Sequence, residues 1–136
     1  MVSIIYGKKG SGKTKKIIDA ANSASEHATG QIIFITDNTE SLGIHSSVRF
    51  INISEHKMRN EYEFTGFLKG MLATNFDIQK VYIDSISRLL DKPAEELQGV
   101  LKQLALMAEM AGNVDFIAAV TTDKLPEFMK PYVKED

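Results

Sequence analysis

Residues Gly7 to Thr14 read GKKGSGKT and fit the pattern GxxxxGK[ST], with an apolar run, Val2 to Tyr6, before them and a helical pattern after. A chain with this stretch must pass from a strand through a tight loop into a helix. The glycines let the backbone bend sharply and bring its N–H groups close to phosphate oxygens, an approach that a Cβ would obstruct. Gly10 and Gly12 free that approach. The helix start adds unpaired N–H donors and the positive end of its dipole, so an anion is favoured there before any side chain acts. Gly7, Lys8, Lys9, Gly10, Ser11, Gly12, Lys13 and Thr14 are therefore the candidate phosphate-binding residues, with Lys13 reaching the β and γ phosphates as the catalytic cation. The Thr14 hydroxyl is a candidate ligand for Mg²⁺, which prefers hard oxygens and rarely relies on an all-protein cage. A glycine-rich turn before an ordinary helix would need neither the Lys-Thr pair nor the strand.

Length and charge narrow the classes. With 136 residues the chain is expected to form one domain, long enough for a sheet with helices on both faces. A formal charge of −2 argues against broad binding to nucleic acid or to an anionic membrane. The chain has no cysteine, and His27, His45 and His56 lack metal-ligand spacing, so no metal beyond nucleotide-bound Mg²⁺ is expected. No apolar run approaches the ~20 residues of a membrane span, and no signal-peptide pattern precedes the first strand; a cytoplasmic location is the expectation.

Taken in order, Val2, Ile4, Ile5 and Tyr6 suit a buried parallel strand. Ile17, Ile18, Ala21 and Ala24 recur at helical spacing, Gly30 is read as closing that helix, and Ile32 to Ile35 begin a second buried strand, completing a βαβ unit. Of the crowded lysines, Lys15 and Lys16, like Lys8 and Lys9, read mainly as a solvated face. The polar stretch Thr36 to Ser47 falls at the carboxyl end of the second strand, the ligand-facing edge of open α/β sheets. Val48, Phe50, Ile51 and Ile53 read as a third strand near a sheet edge. Phe64, Phe67, Leu68, Met71 and Leu72 mark one core-facing side of a helix, in which Gly66 and Gly70 are expected to serve close packing. Ile78 to Asp84, IQKVYID, is an apolar strand that ends in a carboxylate, so Asp84 is the candidate Mg²⁺ ligand opposite Thr14. Asp91 and Pro93 announce a helix with a stripe of Leu97, Leu101, Leu104, Ala108 and Ala111 that ends at Gly112. Val100, Leu106, Met107 and Met110 broaden its apolar face, which implies deep burial or a shared surface. Phe116 to Val120 is a further buried strand.

GKKGSGKT together with VYIDSISRLL, a long helix and FIAAVTT resembles the RecA-like P-loop ATPases of the RecA, RadA and KaiC type. The resemblance covers most of residues 1–122 in order and spacing, with GKKGSGKT and VYIDS its specific parts. It implies a three-layer α/β/α sandwich with a mainly parallel sheet of about five strands, an ATP or ADP site with Mg²⁺ held through Asp84, and Thr121 or Thr122 in the place of the γ-phosphate sensor. It further implies a catalytic glutamate after the second strand, because Asp84 is followed by Ser85. Glu40 is the nearest glutamate to that place, with Asp37 an imperfect substitute. Family members commonly complete the site with a cation from a neighbouring subunit, so a homo-oligomer or a partner protein is implied. Arg49, Arg59 and Arg88 are the arginines present, each read as a solvated surface group. Family members continue past the Phe116 strand. In the family order the Val2 strand is left near an edge unless Lys130 to Lys134 pair with it or another subunit covers it.

Three functions follow from these residues. The first is Mg²⁺-dependent hydrolysis of ATP, dependent on assembly. The second is a nucleotide-binding regulatory or assembly module that does not hydrolyse. The third is a small nucleoside or nucleotide kinase, for which three scattered arginines offer little of a lid. A GTPase is disfavoured because Asp84 is followed by SIS and the late strand by TTDK, which match neither a DxxG switch nor an NKxD guanine reader.

Overall fold

The central strands bury side chains on both of their faces. Ile33 and Ile35 join one hydrophobic cluster and Ile32 and Phe34 the other; Val81 and Ile83 likewise oppose Tyr82, and Ala118 and Val120 oppose Ala119. That period of two, with apolar residues at odd and even positions alike, is what a central parallel sheet requires. The computed structural model describes residues 1–38, 43–54, 56, 58 and 60–133. Among them the order is β1 (Val2–Gly7), α1 (Lys13–His27), β2 (Gln31–Thr36), β3 (Val48–Asn52), α2 (Glu61–Thr74), β4 (Ile78–Ile83), α3 (Ile86–Leu90), α4 (Gln98–Met110) and β5 (Asp115–Thr121). The sheet runs β1-β5-β4-β2-β3 with every pairing parallel. This is the expected three-layer α/β/α architecture.

The two faces are unequal. Ile17 and Ala21 of α1 pack against Phe34, Tyr82 and Ala119 on one face, where Phe34 and its register partner Phe50 stack with ring centroids 6.3 Å apart. On the other, Phe64 and Leu68 of α2, Ile86 and Leu90 of α3, and Leu101, Leu104 and Met107 of α4 share one core with the sheet. Asn60 caps α2 by accepting a hydrogen bond from the Glu63 N–H at 2.9 Å. As the family order implied, β1 lies at the edge of the sheet. The tail reaches it through one parallel bridge, Ile4 to Val133, after a 3₁₀ segment, Glu127–Tyr132, whose Met129 is buried. Among the described residues no helix is long and apolar enough to cross a membrane.

Three local expectations are corrected. Gly30 does not close α1, which ends at His27 with Ala28 as its cap; a Cβ at Gly30 would fall on the Asp77 carbonyl oxygen, the acceptor of the Gln31 N–H at 2.7 Å. Close approach of two loops therefore requires this glycine. At Gly66 and Gly70 the reverse holds: both are exposed, and an added Cβ meets nothing within 4 Å. The long helix begins at Gln98 and is preceded by α3 and a 3₁₀ turn, Ala94–Glu96, because Asp91 adopts a left-handed conformation and Pro93 lies outside the next turn. Its extra apolar residues divide between two environments, with Val100 and Met107 buried and Leu106 and Met110 exposed.

Candidate nucleotide site at the carboxyl edge of the sheet

A wholly parallel sheet brings the carboxyl ends of its strands to one edge, and the candidate residues gather there. Gly7 pairs with Thr121, and the Thr122 N–H donates to the Gly7 carbonyl at 3.0 Å, so the start of the loop and the end of β5 are fixed side by side. Gly10 and Gly12 have φ of 82° and 88°, left-handed values that favour glycine. Gly12 is also the N-cap residue of α1, so the turn they make aims the loop into the first helical N–H groups. The Ser11 N–H donates to the Lys8 carbonyl at 3.0 Å and closes the loop, while the Lys13 ammonium donates to the same carbonyl at 3.0 Å. Lys13 is largely buried at the head of α1, whereas Lys8, Lys9, Ser11 and Thr14 are exposed. An ammonium carries three donors, and this contact uses one of them.

Across β5 from the loop, Asp84 follows β4. Its backbone N–H donates to the Ile35 carbonyl at 2.9 Å, which places it beside Thr36 at the end of β2. The Thr36 hydroxyl donates to Asp84 Oδ2 at 3.1 Å and accepts from the Asn38 N–H at 3.1 Å. Both residues are buried, Asp84 to 2% exposure. Ser85, also buried, has φ of 52° and turns the chain directly into α3; a left-handed residue other than glycine costs on the order of 1 kcal/mol.

Arg88, one turn into α3, is not simply solvated. Its Nε donates to both Asp37 carboxylate oxygens at 3.0 Å and its Nη2 to Asp37 Oδ1 at 2.7 Å; the same Nη2 lies 3.4 Å from Asp84 Oδ2. The hydrogen bonds to Asp37 raise the pKa of this guanidinium further, helped by the charges of Asp37 and Asp84 and opposed by burial. Asp37 is thereby held in a forked ion pair, which removes it as a free base in this arrangement. Ser87 supplies a second link, its Oγ accepting from the Thr121 N–H at 3.3 Å. Glu40 lies outside the described residues.

Thr14 and Asp84 are both hard oxygen donors, and Asp84 is a buried carboxylate whose described partners are one hydroxyl and one half-exposed guanidinium. Such a pair fits Mg²⁺, which keeps several of its waters when bound to a polyphosphate. Among the described residues no group of three His, Cys, Asp or Glu side chains forms a metal cage of its own. Two surface hollows are formed by the described residues, and neither is lined by Thr14 or Asp84. One of about 480 Å³ is walled by Asp37, Ile53, Met58, Arg88 and Leu89 at the carboxyl edge. A larger one of about 590 Å³, lined by Ser3, Ile5, Lys16, Tyr82 and Asp115, lies on the α1 face.

No family model and no curated protein sequence matches the chain. A solved structure does: flagellar accessory protein FlaH from Methanocaldococcus jannaschii, with a TM-score of 0.57 and 17% identity over 93% of this chain. This chain spans 63% of the length of that protein. The likeness supports the RecA-like fold that the two motifs implied.

Proposed function

We propose that this chain binds ATP or ADP through the loop Gly7 to Thr14 and hydrolyses ATP with Mg²⁺. The observation that carries the reading is the loop itself: two left-handed glycines, a helix start and the Lys13 ammonium converge at the carboxyl edge, one strand away from the buried Asp84. The N–H groups of Gly10 to Thr14 bind the phosphates, and Lys13 shares its ammonium with the β and γ oxygens. Thr14 and Asp84 would hold Mg²⁺, which would supply neutralisation of the charge developing on the transferred phosphate. Thr121, tied to Gly7 and Ser87, is the candidate for the γ-phosphate contact that the resemblance implies. In-line attack by a water needs a base, and Glu40 is the candidate.

A second reading is favoured by one observation. Asp37, the carboxylate closest to the end of β2, is locked to Arg88, which suits a module that binds ATP and turns it over negligibly. Phosphate release measured over a wide range of protein concentration separates the two. Release per chain that rises with concentration is the result expected for an ATPase completed by a neighbouring subunit. Saturated ATP binding with no release at any concentration would overturn hydrolysis in favour of the module.

A further inference from the structure

We infer that Arg88 is a built-in counter-cation for the candidate metal-binding carboxylate: it ties Asp37 to Asp84, and it leaves Asp84 when nucleotide and Mg²⁺ bind. The inference rests on the nucleotide reading above and adds to it a regulated exchange. Asp37 and Asp84 follow neighbouring parallel strands, β2 and β4, so their carboxylates meet at one edge. Two carboxylates this close favour a cation between them, and Arg88 provides it. Its grip is unequal. Three contacts of 2.7 to 3.0 Å hold Asp37 in a fork, whereas a single Nη2 reaches Asp84 Oδ2 at 3.4 Å. The weaker end is the one that faces the candidate metal ligand.

Oδ2 of Asp84 already accepts from Thr36, and a divalent ion on that carboxylate would stand within a few ångströms of the guanidinium. Like charges at that separation repel, and Nη2 competes directly for the same oxygen. Arg88 has somewhere to go. Its side chain is 50% exposed and forms part of the wall of the hollow shared with Ile53, Met58 and Leu89. Because the fork to Asp37 is the stronger contact, Arg88 and Asp37 withdraw together, and the residue after β2 changes position with nucleotide state. A positioning residue of this kind couples the metal to the ligand-facing segment without touching phosphate.

The test follows the three arginine Nε–H signals by NMR in the wild-type chain, with Arg88 assigned by their comparison with Arg88→Lys. Calorimetry on the same samples reports ATP binding with Mg²⁺ and in EDTA. The expected result is a protected Arg88 Nε–H without nucleotide that shifts with ATP and Mg²⁺ but not with ATP in EDTA. In Arg88→Gln, the ratio of ATP affinity with Mg²⁺ to that in EDTA rises by about fivefold, the scale of one half-exposed charge pair. An unmoved signal under saturating ATP and Mg²⁺ overturns the inference. So does an equal shift in EDTA, which would make Arg88 a phosphate contact. Absence of ATP binding under both conditions defeats the nucleotide reading itself, and the exchange with it.

Discussion

Replacing Gly66 and Gly70 with Ala tests whether the exposed side of α2 is as open as the structure shows. Both positions lie in the helix interior, and neither new methyl meets an atom within 4 Å. Alanine in place of glycine inside a helix gains about 0.8–1 kcal/mol, because glycine loses the most backbone freedom on folding. The two sites share no partner, so the gains add to about 1.5–2 kcal/mol. With an unfolding entropy of about 2.1 cal/mol/K per residue, a chain of 136 residues should gain roughly 6 °C in Tm. Thermal unfolding by circular dichroism and the urea midpoint measure the gain, and the urea m-value should not change. A fall in Tm for either single variant would refute the reasoning. It would mean that the glycine surface is covered in solution and that close packing is its purpose.

Asp84→Asn keeps the shape of the buried side chain and removes its charge, so ATP affinity with Mg²⁺ should fall by about tenfold while affinity in EDTA changes little. An equal loss in both would assign Asp84 a structural role. Gly30→Ala should destabilise the fold by about 1–3 kcal/mol, because the new methyl must push the Asp77 carbonyl away from the Gln31 N–H. Denaturation of this variant at wild-type urea concentration would contradict that geometry. Burial, reinforced by the charge of Asp115, pushes the Tyr82 hydroxyl up to about 12 from its ordinary 10.0. The unfolded chain then gives up this proton first, so stability is full below pH 10 and declines toward pH 12, by on the order of 2 kcal/mol. Urea titrations across that range should show a shallower decline in Tyr82→Phe, and parallel declines would sink the assignment.

The strand–loop–helix course of Gly7 to Thr14 and the place of Asp84 at the carboxyl edge were legible in the sequence because the chemistry proposed for them fixes residue type and position. A phosphate cradle needs its glycines and its Lys-Thr pair at set intervals, and a strand-end carboxylate follows directly from an apolar run. The order of strands was legible only through the resemblance. What escaped was set by register between distant segments. Asp37 and Arg88 are 51 residues apart and meet only because β2 pairs with β4. One signal was available: Asp84 and Arg88 stand four residues apart, the spacing at which opposite charges meet on a helix. Gly30 was misread for the same reason, since the carbonyl that excludes its Cβ comes from Asp77 before β4. Ser87 gave no sign of its bond to Thr121, which depends on α3 lying over the end of β5. Gly66 and Gly70 misled in the other direction, their helical spacing implying a contact where there is open surface.

The central claim is that Gly7 to Thr14 is a nucleotide site, and calorimetric titration of ATP and ADP with Mg²⁺ into the wild-type chain and Lys13→Ala tests it most directly. The account predicts saturable binding of one nucleotide per chain, lost or weakened by at least about tenfold in a Lys13→Ala variant that melts as the wild type does. Equal affinity in the two proteins, or no heat of binding in the wild type, would contradict it.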